Sequence, residues 1–356
     1  MLFLTCINNK NVINFIISSI ILLLFFVSVV FCLYFCGHNP YNYIIMQYLG
    51  EIISIGVAFS WTATAMASEV ATKRMGVFVA NVWRMALAFI CSALLMFVFT
   101  GTFIPVYADS SAWLWLLLSG VVGYFFGDWC LFNSYIWMGS RYGQLFMTLA
   151  PMAAAFAAWV SLGQQLSWKA LLAMVITITG IMITILGRGE GKRVKLTLPW
   201  QGILFGIGAG LGQGFGLVLS KIGLDSYSAG VPAELLPQLK DYLPFSANMI
   251  RCIAGFVCFA IWLFMRGEGS RLLSSHHDHK GLGMLMLAVI FGPFLGVGFS
   301  LMAVQYTAAG IASTLMATTP IIILLPSWYF FHQKITVKVF TGALISVIGV
   351  SLFFLL

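Results

Sequence analysis

Apolar residues fill long uninterrupted stretches of the chain, and the polar positions between them are few. The pattern does not alternate with period two, as strands of a membrane β-barrel would over about ten positions. Each stretch is long enough for a spanning helix, which needs about 20 mainly apolar residues. Ten are read in the main body: 49–72, 77–99, 112–136, 142–161, 168–187, 201–222, 245–265, 282–307, 310–331 and 336–356. Gly and Pro recur inside them, as membrane helices tolerate and soluble helices do not. Residues 1–45 read differently. They hold no Ala and one Gly, and the run 12–36 is long enough to span. That segment is either an eleventh helix or a stretch ahead of a natural start at Met46, and the abrupt change of composition favours the second.

The stretches repeat. An offset of 169 lays Gly123 on Gly292, Gly127 on Gly296, Met147 on Met316, Pro151 on Pro320 and Gly180 on Gly349. Earlier in each half, Asn81 and Arg84 fall on Asn248 and Arg251. The chain therefore divides into a first half (46–187), a basic connector (188–199) and a second half (200–356). Five helices per half is odd, so the second half enters the membrane from the opposite side. The expected fold is an all-α integral membrane protein, ten transmembrane helices in two inverted five-helix repeats. Many secondary transporters share this architecture, with solute sites near the midplane between repeats.

Composition agrees. The chain is 61% hydrophobic and 8% charged, against about 25% charged in a soluble domain. The pI of about 9.2 does not point to nucleic acid, because the basic residues sit in short loops. Loops after odd-numbered helices carry Lys73, Arg74, Arg141, Arg188, Lys192, Arg193, Lys195, Arg266, Arg271, Lys280, Lys334 and Lys338; loops after even-numbered ones carry Lys169, Lys221 and Lys240. That bias places the odd loops in the cytoplasm. The seven cysteines have no paired metal spacing and read as small buried hydrophobes. No cofactor is implied. The loop 266–281, with His276, His277, Asp278 and His279, reads as a solvated loop rather than a metal site.

Ionisable groups inside spans are the first functional candidates, since a charge at a helix centre costs roughly 2.5–3.5 kcal/mol on insertion scales. They are Glu69, Arg84, Asp128, Lys221 near the end of helix 6, and Arg251. Depth along the helices, at about 1.5 Å per residue, predicts one charge cluster of Glu69, Arg84 and Asp128, and places Arg84 and Arg251 near opposite mouths. Asp128 aligns with Val297, so the second half lacks that acid. Asp128 reads either as the structural partner of Arg84 or as a proton-coupling carboxylate. Arg251 faces no intramembrane acid; an anion-binding role competes with pairing to the loop acids Asp225 or Asp241. Cavity candidates are Trp61, Thr64 and Ser68 on helix 1, Asn81 on helix 2, Tyr124 and Tyr135 on helix 3, Gln213 and Ser220 on helix 6, and Asn248 on helix 7. Gln144, Thr148 and Thr319 lie beside Pro151 and Pro320, where helices are expected to kink.

The stretches "AFSWTATAMASEVA", "NVWRMALAFICSALLM", "GVVGYFFGDWCLFNSYIWMGSRYGQLFMTLAPMAAAFAAWVSLGQQLS", "GLGQGFGLVLSKIG", "NMIRCIAG" and "VQYTAAGIASTLMATTPIIILLPSWYFFHQKIT", in this order and duplicated, resemble the EamA-type transporters of the drug/metabolite transporter superfamily. The resemblance covers about 49–356. It implies a secondary transporter of a small metabolite such as an amino acid, exported across the bacterial inner membrane, with a solute and the lipid bilayer as partners. Members usually carry Gly-Glu after helices 4 and 9. Here Gln164 and Gln333 replace the Glu, and His332 the second Gly. Family habit also puts both ends of the ten-helix core inside, against the charge count. A membrane-embedded enzyme and a non-transporting scaffold or sensor are the rival classes. Substrate-dependent flux in proteoliposomes separates them.

Overall fold

The computed structural model describes residues 48–162, 167–188, 194–196, 198–239, 242–307 and 309–355. The stretch ahead of residue 48, with its alternatives of an eleventh helix or a start at Met46, lies outside the described residues, as does Gln164.

Among the described residues, ten helices are long and apolar enough to cross a membrane. They are α1 (Leu49–Met75), α2 (Val77–Val98), α3 (Ser110–Met138), α4 (Ser140–Val160), α5 (Trp168–Ile185), α6 (Trp200–Gly230), α7 (Leu243–Met265), α8 (His279–Val297), α9 (Ile311–Phe331) and α10 (Val337–Leu355). The expected ten-span pattern holds. The all-α membrane fold holds, with one short addition: Leu186–Arg188 (β1) and Val194–Leu196 (β2) pair antiparallel between the halves. Leu186 pairs with Leu196 and Arg188 with Val194.

Local chemistry sets the helix ends. Asp109, Ser167 and Asp278 accept from the amides of Ala112 (2.8 Å), Ala170 (3.1 Å) and Gly281 (3.0 Å), capping α3, α5 and α8. Single glycines split α1 from α2 and α3 from α4. Gly76 and Gly139 both sit at φ 86°, ψ 160°, a conformation essentially confined to glycine. The α9 C-terminus ends on His332 at φ 52°, a left-handed position that suits glycine better.

The two halves contact each other reciprocally, as an inverted repeat requires. A Cβ on Gly180 of α5 would lie 2.4 Å from the Ser346 amide nitrogen of α10, and one on Gly349 of α10 would lie 2.5 Å from the Thr177 amide nitrogen of α5. Gly180 and Gly349 are repeat mates, and so are Thr177 and Ser346. Likewise α3 packs on α6 while α8 packs on α1. Gly123 and Gly127 of α3 meet Gly216 and Gly212 of α6; their mates Gly292 and Gly296 of α8 meet Thr64 and Trp61 of α1. Small residues allow this close approach, which supplies the packing that lipid cannot drive. Both third helices also widen into π-helical turns at matching places, Gly120–Asp128 and Ile290–Phe294. Such turns shift the phase of a helix face and often mark functional sites. The prolines act as expected. A 3₁₀ turn at Met147–Leu149 precedes Pro151, and α9 breaks ahead of Pro320.

Backbone geometry generates one prediction with two signs. Gly139→Ala forces a side chain into a glycine-only conformation and should cost about 1–3 kcal/mol, whereas His332→Gly relieves a left-handed residue and should stabilise by about 1 kcal/mol. Thermal unfolding in detergent reads both. Equal melting temperatures for all three proteins would contradict the assignment.

Candidate functional site

The site lies where α2, α3, α6 and α7 meet. The π-helical turn of α3 ends at Asp128, and glycines at 123 and 127 bring α6 against it. Arg84 of α2 turns inward rather than outward. Its Nη1 donates to Asp128 Oδ2, and its guanidinium lies over the Phe132 ring at 5.2 Å. From the opposite half, Gln213 of α6 donates through Nε2 to Asp128 Oδ1 (2.8 Å) and to the Gly123 carbonyl (3.1 Å). Asp128 is 2% exposed and Arg84 9%. A buried carboxylate is tolerable when paired and when its remaining lone pairs are also engaged, and both oxygens of Asp128 are.

Tyr124 lies one turn before Asp128. Its hydroxyl donates to Asn248 Oδ1 of α7, and Asn248 Nδ2 donates to the Pro293 carbonyl in the π-helical turn of α8 (3.2 Å). The Arg251 guanidinium stacks on the Tyr124 ring, 4.4 Å from its centroid. The two arginines are therefore not at opposite mouths. Arg84 pairs with Asp128 while Arg251 stacks on Tyr124, one turn earlier on the same helix. The reason is the crossing of α2 and α7, which pack against each other and run antiparallel. Each arginine lies about 10–12 Å in from its own helix end at 1.5 Å per residue, so the two approach the middle from opposite sides.

The predicted three-residue charge cluster is corrected too. Glu69, 1% exposed, is drawn away from Arg84. Its Oε1 accepts from Lys73 Nζ (2.5 Å) and its Oε2 from the Ser140 amide (2.6 Å). The Gly139 break starts α4 beside it, and a helix N-terminus offers free amides and positive potential to a carboxylate. Of the loop acids proposed for Arg251, Asp225 pairs with Lys221 (3.4 Å), and Asp241 lies outside the described residues.

The other candidates divide. Trp61 and Thr64 pack the α1–α8 contact, with the Thr64 hydroxyl donating to the Ala288 carbonyl (2.5 Å). Ser68 is buried and Ser220 half-buried. Asn81 donates to the Val77 carbonyl (3.0 Å), and its buried Oδ1 has no partner. Gln144 donates to the Tyr135 hydroxyl (2.8 Å). Thr148 and Thr319 return their hydroxyls to carbonyls one turn back, Leu145 (2.7 Å) and Met316 (2.8 Å). Sequence reasoning missed Arg141, 7% exposed, which donates to the Lys334 carbonyl (3.1 Å) and the Tyr142 hydroxyl (2.9 Å). Its place right after the Gly139 break was the available signal. Also missed was the bidentate pair of Arg74 with Asp278 (2.6–3.1 Å), which ties α1 to the start of α8. Among the described residues no group of three His, Cys, Asp or Glu is placed to hold a metal.

The hydrogen bond from Arg74, with help from the Gly281 and Lys280 amides, holds the Asp278 carboxyl below the usual carboxylate range. A depressed folded value means that the pair stabilises above the ordinary carboxylate pKa of about 4 and fails as pH falls through the folded one. Asp278→Asn should therefore destabilise the protein at pH 7, by no more than about 1 kcal/mol for an exposed pair, and by less at pH 3. An equal loss at both pH values would contradict this.

The EamA-like transporter family model matches residues 48–186 and 200–355. These are the two repeats read from the sequence and the two halves seen in the fold. A solved structure described as "Crystal structure of protein" is similar at 12% identity, over 85% of this chain and 96% of that chain, with a TM-score of 0.49. No curated relative matches.

Proposed function

The chain belongs to the EamA-like transporter family, and from that premise we propose that it exports a small organic solute, an amino acid or a similar metabolite, across a bacterial inner membrane by alternating access of its two halves. The observation that carries this reading is the bridge at Asp128. Its carboxylate accepts from Arg84 of its own half and from Gln213 of the other. Rocking of one half against the other would make and break the Gln213 link while the Arg84 pair moves as a unit. Sites near the midplane between inverted repeats work in this way. The glycine contacts of α3 with α6 give a smooth surface for such motion.

The same carboxylate is assigned the coupled proton. A proton on Asp128 would weaken its hold on both Arg84 and Gln213 and so loosen the junction between halves. Uptake of that proton from one side and release to the other would then drive solute the opposite way.

Asp128→Asn alone strands the Arg84 charge and should cost about 3–5 kcal/mol. Arg84→Gln with Asp128→Asn removes both charges and should restore most of that stability. In proteoliposomes this double variant should exchange solute at equal pH on both faces, yet fail to accumulate it against a pH gradient. A stable Asp128→Asn protein with normal proton-driven flux would defeat both roles. Absence of saturable flux of every small metabolite by the wild-type protein would defeat the transport reading.

A further inference from the structure

Three charges meet at the junction of α2, α3, α6 and α7, and they do not cancel. Two are guanidiniums and one is a carboxylate. Asp128 has both oxygens engaged, by Arg84 and by Gln213, and the ion pairs among the described residues leave Arg251 without a carboxylate. The repeat supplies its own comparison. Arg84 and Arg251 are mates, and so are Asp128 and Val297. Where the first half gives its arginine an acid, the second half offers an isopropyl group.

Nothing else among the described residues makes up the deficit. Arg251 rests over the face of Tyr124, which favours a cation but supplies no hydrogen-bond acceptor. Tyr124 cannot turn its hydroxyl to the task, because Asn248 holds it, and Asn248 is itself held by the Pro293 carbonyl. The Arg251 Nε is buried with no partner, and so is the Arg84 Nε. A Cβ on Gly123 would lie 3.2 Å from an Arg251 Nη, so this glycine leaves the guanidinium room. The result is a half-buried cation, set on an aromatic platform, whose Nε is buried and unmet. A lone charge in such a place is unfavourable until a counter-charge arrives.

We propose that Arg251, stacked on Tyr124, binds the carboxylate of the transported solute. Guanidinium and carboxylate match in plane and spacing, and the pair is stronger than one between neutral groups. The surroundings add a requirement. Met85, Cys252, Tyr124 and Val289 share one apolar cluster here, which suits a carboxylate carried on an organic body better than a hydrated inorganic anion. A carboxylate solute then neutralises Arg251, so a loaded carrier differs in charge from an empty one. This rests on the transport reading for the word solute, but binding is tested apart from flux.

The test uses the purified full chain in detergent and reads thermal stabilisation against ligand concentration. The probes are lactate, pyruvate, L-leucine and L-phenylalanine, each beside its carboxamide, with chloride and phosphate as inorganic arms. At least one carboxylate should stabilise the protein, with its amide weaker by about tenfold or more, as loss of a charged hydrogen bond implies. Arg251→Gln should abolish that preference and Arg251→Lys should keep part of it. The comparison of acid with amide needs only the wild-type protein, so it stands whatever the variants do. Amides as effective as acids, no stabilisation by any carboxylate, or an effect that chloride or phosphate reproduces, would each overturn the assignment. Flux of a neutral solute alone would overturn it and leave transport standing. Carboxylate binding with no flux would do the reverse.

Discussion

Arg84 and Asp128 cannot sit in an apolar interior separately, and much of the central packing follows from putting them together. Asp128 needs a cation and a second donor; Arg84 supplies the first and Gln213 the second. For Gln213 to reach, α6 must come close to α3, which the glycines at 123, 127, 212 and 216 permit. For Arg84 to turn inward, α2 must lie beside the π-helical turn of α3. One neutralised charge pair thus specifies how three helices from two halves meet. Pairs of this kind contribute little net stability, because desolvation offsets attraction, but removing one member is costly.

Symmetry makes the frame and its breaking makes the site. The contacts of α5 with α10 are reciprocal to the residue, and both third helices carry a π-helical turn. At the α3–α6 contact, however, stand Asp128 and Gln213, while the mate contact of α8 with α1 carries Val297 and Trp61. One interface carries a charged group; the other is uncharged, with Trp61 and the hydroxyl-to-carbonyl bonds of Ser60 and Thr64. An inverted pair of halves with identical linings would present the same chemistry twice. This one presents an ion-paired junction on one side of the pseudo-twofold axis and packing on the other.

The helices, their order and the inverted repeat were legible in the sequence because bilayer burial demands long apolar runs, and because glycine, proline and Asn-x-x-Arg recur at a fixed offset. The Arg84–Asp128 pair was legible from depth alone. Depth misled for Glu69, since the N-terminus of α4 competes for its carboxylate and that competition depends on the Gly139 break. It misled for Arg251 as well. Counting from a helix end gives height, not the neighbour across a helix crossing, so Arg251 came to lie over Tyr124, one turn from the acid that Arg84 holds. The π-helical turns were invisible, because no residue pattern distinguishes them from ordinary α-helix. The sequence places Gln213 on a cavity wall, and only the α3–α6 contact makes it a hydrogen-bond donor to Asp128.

The most direct measurement is the position of a transported solute in an experimentally determined complex. The account predicts density between the two halves, against the Arg251 guanidinium and the Tyr124 ring, with Asp128 still within reach of Arg84 or released from it according to which side is open. Density confined to the α1–α8 contact beside Trp61, or outside the junction of α2, α3, α6 and α7, would contradict it.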